Sequence, residues 1–241
     1  MNNQIEITNE LQQRATNFLQ SFSLRVNGTS IYLKEIEVYY FEEGVFEDYT
    51  VHRNELQADN KHHFYIHRRG RSKSAQPITG TRGGCDFVLS DSANVYFSFL
   101  IRSIVIDNEL VVGPRNSLNA ILRHTNLTYN DLERVEVELV QDVYEYDVLV
   151  TPRVGIGNPT TDEDKFFETA ELRFILCDEF FREKDKRSNI GYKSRTEAID
   201  RFLKQSIATG KMSKKQAIDY SWRWYGSVSK WLKDYKDNDK E

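Results

Sequence analysis

The chain has 241 residues, of which 39% are hydrophobic and 12% aromatic, so it can form one sizeable domain with a β-rich core. Charged residues reach 29% and proline is scarce, which excludes a disordered chain. We expect neither a membrane span nor a signal peptide, because no apolar run is long enough and the first residues are polar. Cys85 and Cys177 lack metal-binding spacing, and a reduced, cytoplasmic protein is the simplest interpretation.

The net charge of −4 conceals two parts of opposite sign. From Lys186 onward the chain has 14 Lys and Arg against 7 Asp and Glu, whereas the residues before it carry 19 against 30. A polar stretch over 182–194 is a candidate linker, and the pattern is helical from 195 onward. We therefore predict a domain over 1–181 and a basic helical extension over 182–241 that packs on it. The basic surface of this helical extension either contacts nucleic acid or is simply solvated.

The first predicted elements are an amphipathic helix over 4–22 and a strand from Ile31 to Tyr40. Alternation in this strand places Glu35, Glu37 and Tyr39 on one face and apolar residues on the other. The acidic face is either a solvated strand surface or a wall that turns inward. In the second case, a buried carboxylate beside an aromatic ring is a candidate catalytic group.

A long polar loop over 68–84 contains four glycines and no acidic residue. Such a loop suits close approach to a sugar–phosphate backbone, and an ordinary mobile loop is the alternative. Its cationic residues are Arg68, Arg69, Arg71, Lys73 and Arg82.

The remaining predictions, in chain order, are an irregular segment over 42–60, strands over 64–67, 85–89 and 95–106, a helix over 117–123 capped by Asn116 or Ser117, a strand pair within 134–150, a loop over 151–157 and a strand over 171–176.

No phosphate-binding P-loop, dinucleotide fingerprint, nucleophile elbow or zinc spacing occurs in the sequence. Six short motifs occur instead in a definite order over roughly residues 5–176. They are Glu37-Val38-Tyr39, Asp48-Tyr49-Thr50-Val51-His52, Leu100-Ile101-Arg102-Ser103, Gly113-Pro114 with Leu118, Arg153-Val154-Gly155-Ile156 and Leu172-Arg173-Phe174. In this order and spacing the chain resembles the alkyladenine (3-methyladenine) DNA glycosylase family.

We expect an α+β domain with a curved, mostly antiparallel, barrel-like sheet flanked by helices. The resemblance implies a monofunctional DNA glycosylase, which flips a base out of DNA and hydrolyses its N-glycosidic bond. Glu37 would activate the water, and Arg102 would orient Glu37 or that water. Tyr39 and His52 would line the base pocket. The residues implied to hold the DNA backbone are Gly113, Pro114, Arg115, Arg153 and Gly155.

Two departures from the family pattern concern the pocket. The segment around Tyr65 replaces a strand of alternating tyrosines, so Tyr65 is a pocket candidate, and Tyr65, His67 and Arg69 are each candidates for the side chain that wedges into the duplex. Asp86 stands where the family has an amide. A carboxylate only accepts hydrogen bonds, which favours an exocyclic amine and hence a modified cytosine or a hypermodified viral base. The alternative is that Asp86 pairs with Arg82.

We expect a monomeric enzyme that binds DNA, in repair or antiviral defence, without a metal or redox cofactor and without a membrane partner. His62, His63 and His67 lack a carboxylate at metal-binding spacing. Lys34 lies on the strand face opposite Glu37, which disfavours a Schiff-base lyase. The alternative function is a catalytically silent sensor of modified or flipped bases.

Overall fold

The structure is a computed structural model that describes residues 2–79, 83–153, 155–156, 159–177, 189–210, 212–225 and 228–235. The chain divides into two compact units, Met1–Leu176 and Cys177–Glu241. The first unit combines helices with a curled, antiparallel half-barrel sheet, and the second is helical. The predicted α+β class with a curved sheet and C-terminal helices is confirmed.

The described part of the first unit contains ten strands and five helices. The strands are β1 (Phe22–Val26), β2 (Thr29–Glu42), β3 (Phe46–Glu47), β4 (Phe64–Ile66), β5 (Cys85–Val88), β6 (Val95–Ile106), β7 (Glu109–Val112), β8 (Glu138–Gln141), β9 (Val148–Thr151) and β10 (Arg173–Leu176). The helices are α1 (Asn2–Ser21), α2 (Glu55–Asp59), α3 (Pro114–Thr125), α4 (Tyr129–Leu132) and α5 (Asp162–Thr169).

The long antiparallel pair of β2 and β6 forms the spine of the sheet. Beyond β6 lie β5 and then β4, while β7 pairs with the end of β6. The other edge of β2 pairs with β1 near its start and with β10 further along, and β8 and β9 extend these two branches. Because every other strand pairs with β2 or β6, directly or through one neighbouring strand, residues near the middle of β2 and β6 lie at the centre of the sheet.

Helix α1 covers one face of this sheet. Its apolar face is buried, and the Phe18 ring lies 5.2 Å from the ring of Phe99 and 5.7 Å from that of Phe87. Leu118 and Ile121 of α3 are fully buried in the same core. Burying each such side chain stabilises the fold by roughly 1.5–3 kcal/mol.

Two β-bulges decide which face of the spine carries the acidic residues. Lys34 is an extra residue on β2 between the paired positions Leu33 and Glu35, and Arg102 is an extra residue on β6 just opposite. Up to the bulge the odd-numbered residues of β2 face the core, and after it the even-numbered ones do. Because the side-chain period of a strand is two residues, these bulges direct Glu35 and Glu37 away from the apolar core.

Three local predictions require correction. Helix α3 begins at Pro114 with Gly113 as its N-cap, rather than at 117 after Asn116 or Ser117. Proline is favoured in the first turn because its φ is already helical, and Gly113 adopts a φ of +99° that other residues rarely adopt. The segment 42–60 contains β3 and α2 rather than being irregular throughout. The two strands within 134–150 do not pair with each other, because β8 pairs with β1 and β9 pairs with β10. Strands β1 and β7 and helices α4 and α5 were not predicted.

The second unit contains, in its described part, α6 (Asn189–Ala208), α7 (Lys214–Tyr225) and α8 (Lys230–Asp234). Asp200 of α6 accepts hydrogen bonds from Ser229 at 2.7 Å and from the indole of Trp231 at 2.8 Å. These bonds tie α8 and its cap to α6. Across the described ranges, we find no helix with the length and apolarity that a membrane crossing requires.

Candidate active site

Glu35 and Glu37 are buried inside the first unit, with exposed fractions of 2% and 0%. The solvated-surface interpretation of this strand face is therefore wrong. Arg102, at the bulge, donates from Nε to Oε1 of Glu35 at 2.8 Å and places Nη1 3.1 Å from Oε1 of Glu37. Arg173 of β10 is fully buried and donates from Nε to Oε1 of Glu35 at 2.8 Å. Two guanidinium groups thus neutralise two buried carboxylates.

Pairing with the two acids keeps the buried Arg102 charged. Burial alone lowers the pKa of Arg102, but Glu37 and Glu35 raise it above its ordinary value, so the guanidinium stays charged. Tyr39 donates from its hydroxyl to Oε2 of Glu37 at 3.2 Å. Burial and Glu37 raise the pKa of Tyr39 well above 10, which keeps this phenol protonated and able to donate. Glu37 is consequently held between a cation and a hydroxyl donor.

Register places the second predicted acid on the same sheet face. Glu37 pairs with Leu100 on β6, Leu100 pairs with Asp86 on β5, and Asp86 pairs with Tyr65 on β4. Cross-strand partners point to the same side of a sheet. On this side lies a cavity of about 370 Å³. It is lined by Tyr39, Tyr49, Thr50, His52, Gln57, His67, Asp86, Gly155 and Ile156.

Asp86 is the centre of a hydrogen-bond network in the cavity wall. Its Oδ1 lies 2.7 Å from Nε2 of His67, and its Oδ2 accepts from Gln57 at 2.9 Å and from Ser98 at 2.8 Å. Burial alone raises the pKa of Asp86, but His67 and the hydrogen bonds outweigh it and lower that pKa. Asp86 is therefore an ionised acceptor. Its suggested partner Arg82 lies outside the described residues.

His52 lies on the cavity wall and is hydrogen-bonded to a buried tyrosine. Its Nδ1 lies 3.1 Å from the hydroxyl of Tyr65, which also accepts from the backbone N–H of Arg68 at 3.3 Å. Tyr65 itself is fully buried and does not line the cavity. The structure thus corrects two predictions for Tyr65, namely that it lines the base pocket and that it is a candidate for the side chain that wedges into the duplex.

We predict that His52 makes the stability of the protein fall in acid. Burial and the neighbouring His67 lower the pKa of His52 from 6.5 to about 4. The unfolded chain therefore binds a proton near pH 6.5 that the folded chain binds only near pH 4. The resulting loss of unfolding free energy between these pH values is up to about 3 kcal/mol.

Denaturant unfolding of wild type and His52→Gln from pH 4 to 7 measures this loss. The advantage of the wild type over the variant should shrink steadily as the pH falls from 6.5 to 4. Parallel stability profiles for the two proteins would contradict the assignment.

Arg153 supports the cavity from behind rather than facing solvent. Its side chain is fully buried and donates from Nη1 to Oδ2 of Asp48 at 2.6 Å and to the carbonyl of Val38 at 3.2 Å. Its guanidinium carbon lies 4.7 Å from the centre of the Tyr39 ring. The predicted contact of Arg153 with a phosphate is therefore wrong for the side chain, because its charge is already paired with a buried carboxylate. Gly155 does line the cavity, with a φ of +74°.

The cationic loop divides into structural and exposed arginines. Arg68 pairs with Glu133 and donates to the carbonyl of Ala75 at 2.6 Å, with 9% of its side chain exposed. The prediction that Arg68 contacts DNA is corrected, since this pairing withdraws its charge from solvent. Arg69 and Arg71 are exposed, as a DNA contact requires.

The start of α3 lies beside the end of this loop. A side chain at Gly84 would place its Cβ 3.0 Å from Cβ of Pro114 and 3.6 Å from Cε1 of His67, so any larger residue would require Pro114 to move slightly. A Cβ at Gly83 would lie 2.8 Å from Nη1 of Arg115. The backbone N–H groups at the start of α3 therefore lie next to the loop and near the cavity.

The sequence alone did not single out Gln57, Ser98 or Thr50. Gln57 is 1% exposed and belongs to α2, whose N-cap Asn54 accepts from the N–H of Leu56 at 3.0 Å. An asparagine followed by Glu55 is the one signal that could have revealed this short helix. Five helical residues are too few for periodicity to be recognised.

The sequence matches no protein-family model and no curated protein. Within the described ranges, no three His, Cys, Asp or Glu side chains are grouped so that they could hold a metal ion. The function therefore has to be argued from the site itself.

Proposed function

We propose that the protein is a DNA glycosylase, which receives a modified base in the cavity and hydrolyses its N-glycosidic bond with a water activated by Glu37. The observation that carries this proposal is the buried Glu37, fixed by Arg102 and by the hydroxyl of Tyr39, whose ring forms a wall of the cavity. A buried, oriented carboxylate beside a small aromatic cavity suits the stabilisation of an oxocarbenium-like sugar.

The cavity suits a planar base in both size and lining. Its volume of about 370 Å³ lies within the range of small-ligand sites. Tyr39 and Tyr49 supply aromatic surface, and His52 and His67 supply ring edges with polar atoms. Flipped bases are held by such stacking surfaces together with hydrogen bonds to their edges. The Arg153 guanidinium behind Tyr39 fixes the orientation of that ring.

Glu37 is fully buried, so the proposed water has to reach it from the cavity side. The Tyr39 ring lines the cavity and its hydroxyl bonds to Glu37, so the proposed water approaches the carboxylate beside this ring. Arg102 remains paired with Glu37 and Glu35 and keeps Glu37 oriented. Lys34 contacts the rings of Tyr144 and Tyr32 instead of the cavity, which agrees with hydrolysis rather than a Schiff base.

The surface around the loop suits the DNA backbone. Exposed Arg69 and Arg71 supply charge, and the N-terminus of α3 supplies backbone N–H donors near Arg115. Phosphate oxygens bind well at helix N-termini and to arginine.

A base-release panel tests the proposal. DNA carrying single alkylated purines, hypoxanthine or modified cytosines is incubated with the protein, and alkali then breaks the strand at abasic sites. We expect strand breaks at one class of modified base with wild type. Tight binding without base release across the panel would instead establish a sensor, the function to which complete burial of Glu37 is also suited.

We further predict that Arg69 and Arg71 each contribute one phosphate contact. Arg69→Ala and Arg71→Ala should each weaken duplex binding and reduce the slope of log K against log salt by about 1. Arg123→Ala, an exposed arginine in the last turn of α3, is the matched control and should leave the slope unchanged. Fluorescence anisotropy over a salt series measures the slopes. Equal slopes for all three variants would place the DNA elsewhere.

A further inference from the structure

Gln57 lines the cavity and carries a buried hydrogen-bond acceptor. Its Nε2 donates to Oδ2 of Asp86 at 2.9 Å and to Oγ of Ser98 at 3.0 Å. The amide cannot be turned round, because its oxygen would then face a carboxylate that only accepts. Oε1 is consequently left on the other side of the amide, and it is buried without a hydrogen-bond partner.

A buried acceptor without a partner is costly unless a ligand supplies a donor. Gln57 is 1% exposed and lines the cavity, so the donor has to come from what enters there. Asp86, whose oxygens already accept from His67, Gln57 and Ser98, adds a second acceptor-only group to the same wall. The network thus holds the Gln57 amide in one orientation, and this wall of the cavity is rich in hydrogen-bond acceptors.

We propose that Gln57 is the specificity-determining residue of the cavity and selects a nucleobase with an exocyclic amine, whose N–H donates to Oε1. Cytosine N4 and adenine N6 present such a donor, whereas uracil, thymine and hypoxanthine present a carbonyl oxygen at the same place. A carbonyl oxygen at this position would place a second acceptor against Oε1, and neither oxygen would then have a hydrogen-bond donor. This inference rests on the proposed function, because a flipped base has to occupy the cavity. It assigns recognition of the exocyclic amine to Gln57 rather than to Asp86.

Two matched pairs of bases test the inference by binding alone. 5-Methylcytosine and thymine differ at C4, and adenine and hypoxanthine differ at C6, in each case by an amine against a carbonyl. Each base is placed at one mismatched position of a labelled duplex, and the affinity of Glu37→Gln protein is measured by anisotropy. We expect the amine member of at least one pair to bind about tenfold more tightly or better.

Two variants locate the origin of this preference. Gln57→Met keeps the volume but removes Oε1, and the preference should fall to about twofold or less. Gln13→Met makes the same substitution at an exposed glutamine of α1 outside the cavity, and the preference should persist. Equal binding of both members of both pairs would overturn the inference, as would an undiminished preference in Gln57→Met. The measurement on the Gln57-intact protein decides this even where Gln57→Met does not fold.

The two proposals fail in different ways. A preference for the amine without base release from any substrate refutes hydrolysis and leaves the role of Gln57 standing. Release of both members of a pair at equal rates, with equal binding, supports hydrolysis and refutes the role of Gln57.

Discussion

Glu37→Gln is expected to lower the rate of base release about a thousandfold, because general acid–base catalysis contributes on the order of 10²–10⁴. The amide has the shape of the carboxylate, so Oε1 still accepts from Arg102, while the hydroxyl of Tyr39 can accept from the new NH₂ group. What is lost is the ability to take a proton from water. Single-turnover kinetics with enzyme in excess measure the chemical step directly.

Two controls separate the chemistry from the fold in this experiment. Glu43→Gln changes an exposed acid just after β2 and should leave the rate unchanged. Tyr39→Phe retains the ring at the cavity but removes the hydrogen bond to Glu37, and we expect a loss of about tenfold or less. Thermal unfolding of each variant verifies folding. A Glu37→Gln enzyme that releases base at the wild-type rate would exclude Glu37 as the base.

Arg153→Met is expected to lower the free energy of unfolding by about 3–5 kcal/mol, the largest stability effect that we predict. Arg153 and Asp48 both have fully buried side chains, and removing the cation leaves the carboxylate without charge compensation. Among the described residues, Asp48 retains only its bonds from the backbone and hydroxyl of Thr50, at 3.0 and 2.6 Å. Urea unfolding of the full chain measures the loss.

The double variant Asp48→Asn/Arg153→Met should recover much of that stability, because it removes the buried charge together with its partner. Arg71→Ala, on the exposed loop, is the control for loss of an arginine and should change stability by about 0.5 kcal/mol at most. A normal stability for Arg153→Met combined with weaker DNA binding would restore the role in phosphate binding that the burial of Arg153 argues against.

The strands of the spine were predictable because β2 alternates from Glu35 to Tyr40 and β6 is a long, mostly apolar run. The pattern of Glu35, Glu37 and Tyr39 gave the correct common face, and β6 was predicted with its observed bounds, Val95–Ile106. The bulges at Lys34 and Arg102 were not predictable, because a bulge is defined by the pairing of two distant strands. That pairing decides that Arg102 reaches both acids.

The polar network around Asp86 is the second feature of the site that could not be predicted from the sequence. Gln57, His67 and Ser98 come from three separate elements, and only the folded sheet brings them to one carboxylate. Residue type predicted correctly that Asp86 is an acceptor, but not that protein donors already engage it. The same limit applies to Arg68, for which loop composition suggested contact with DNA, and to Arg153, for which the family resemblance implied it. The fold supplies an internal carboxylate to each.

Mass spectrometry of the products released from the modified-base panel by wild type and by Glu37→Gln tests the proposed role of Glu37 most directly. Wild type is expected to liberate one intact free base and to leave an unbroken strand with one abasic site. Glu37→Gln should bind the same DNA and liberate no detectable base in the same time. Equal liberation by both proteins, or none by wild type from DNA that it binds tightly, would contradict the central role of Glu37.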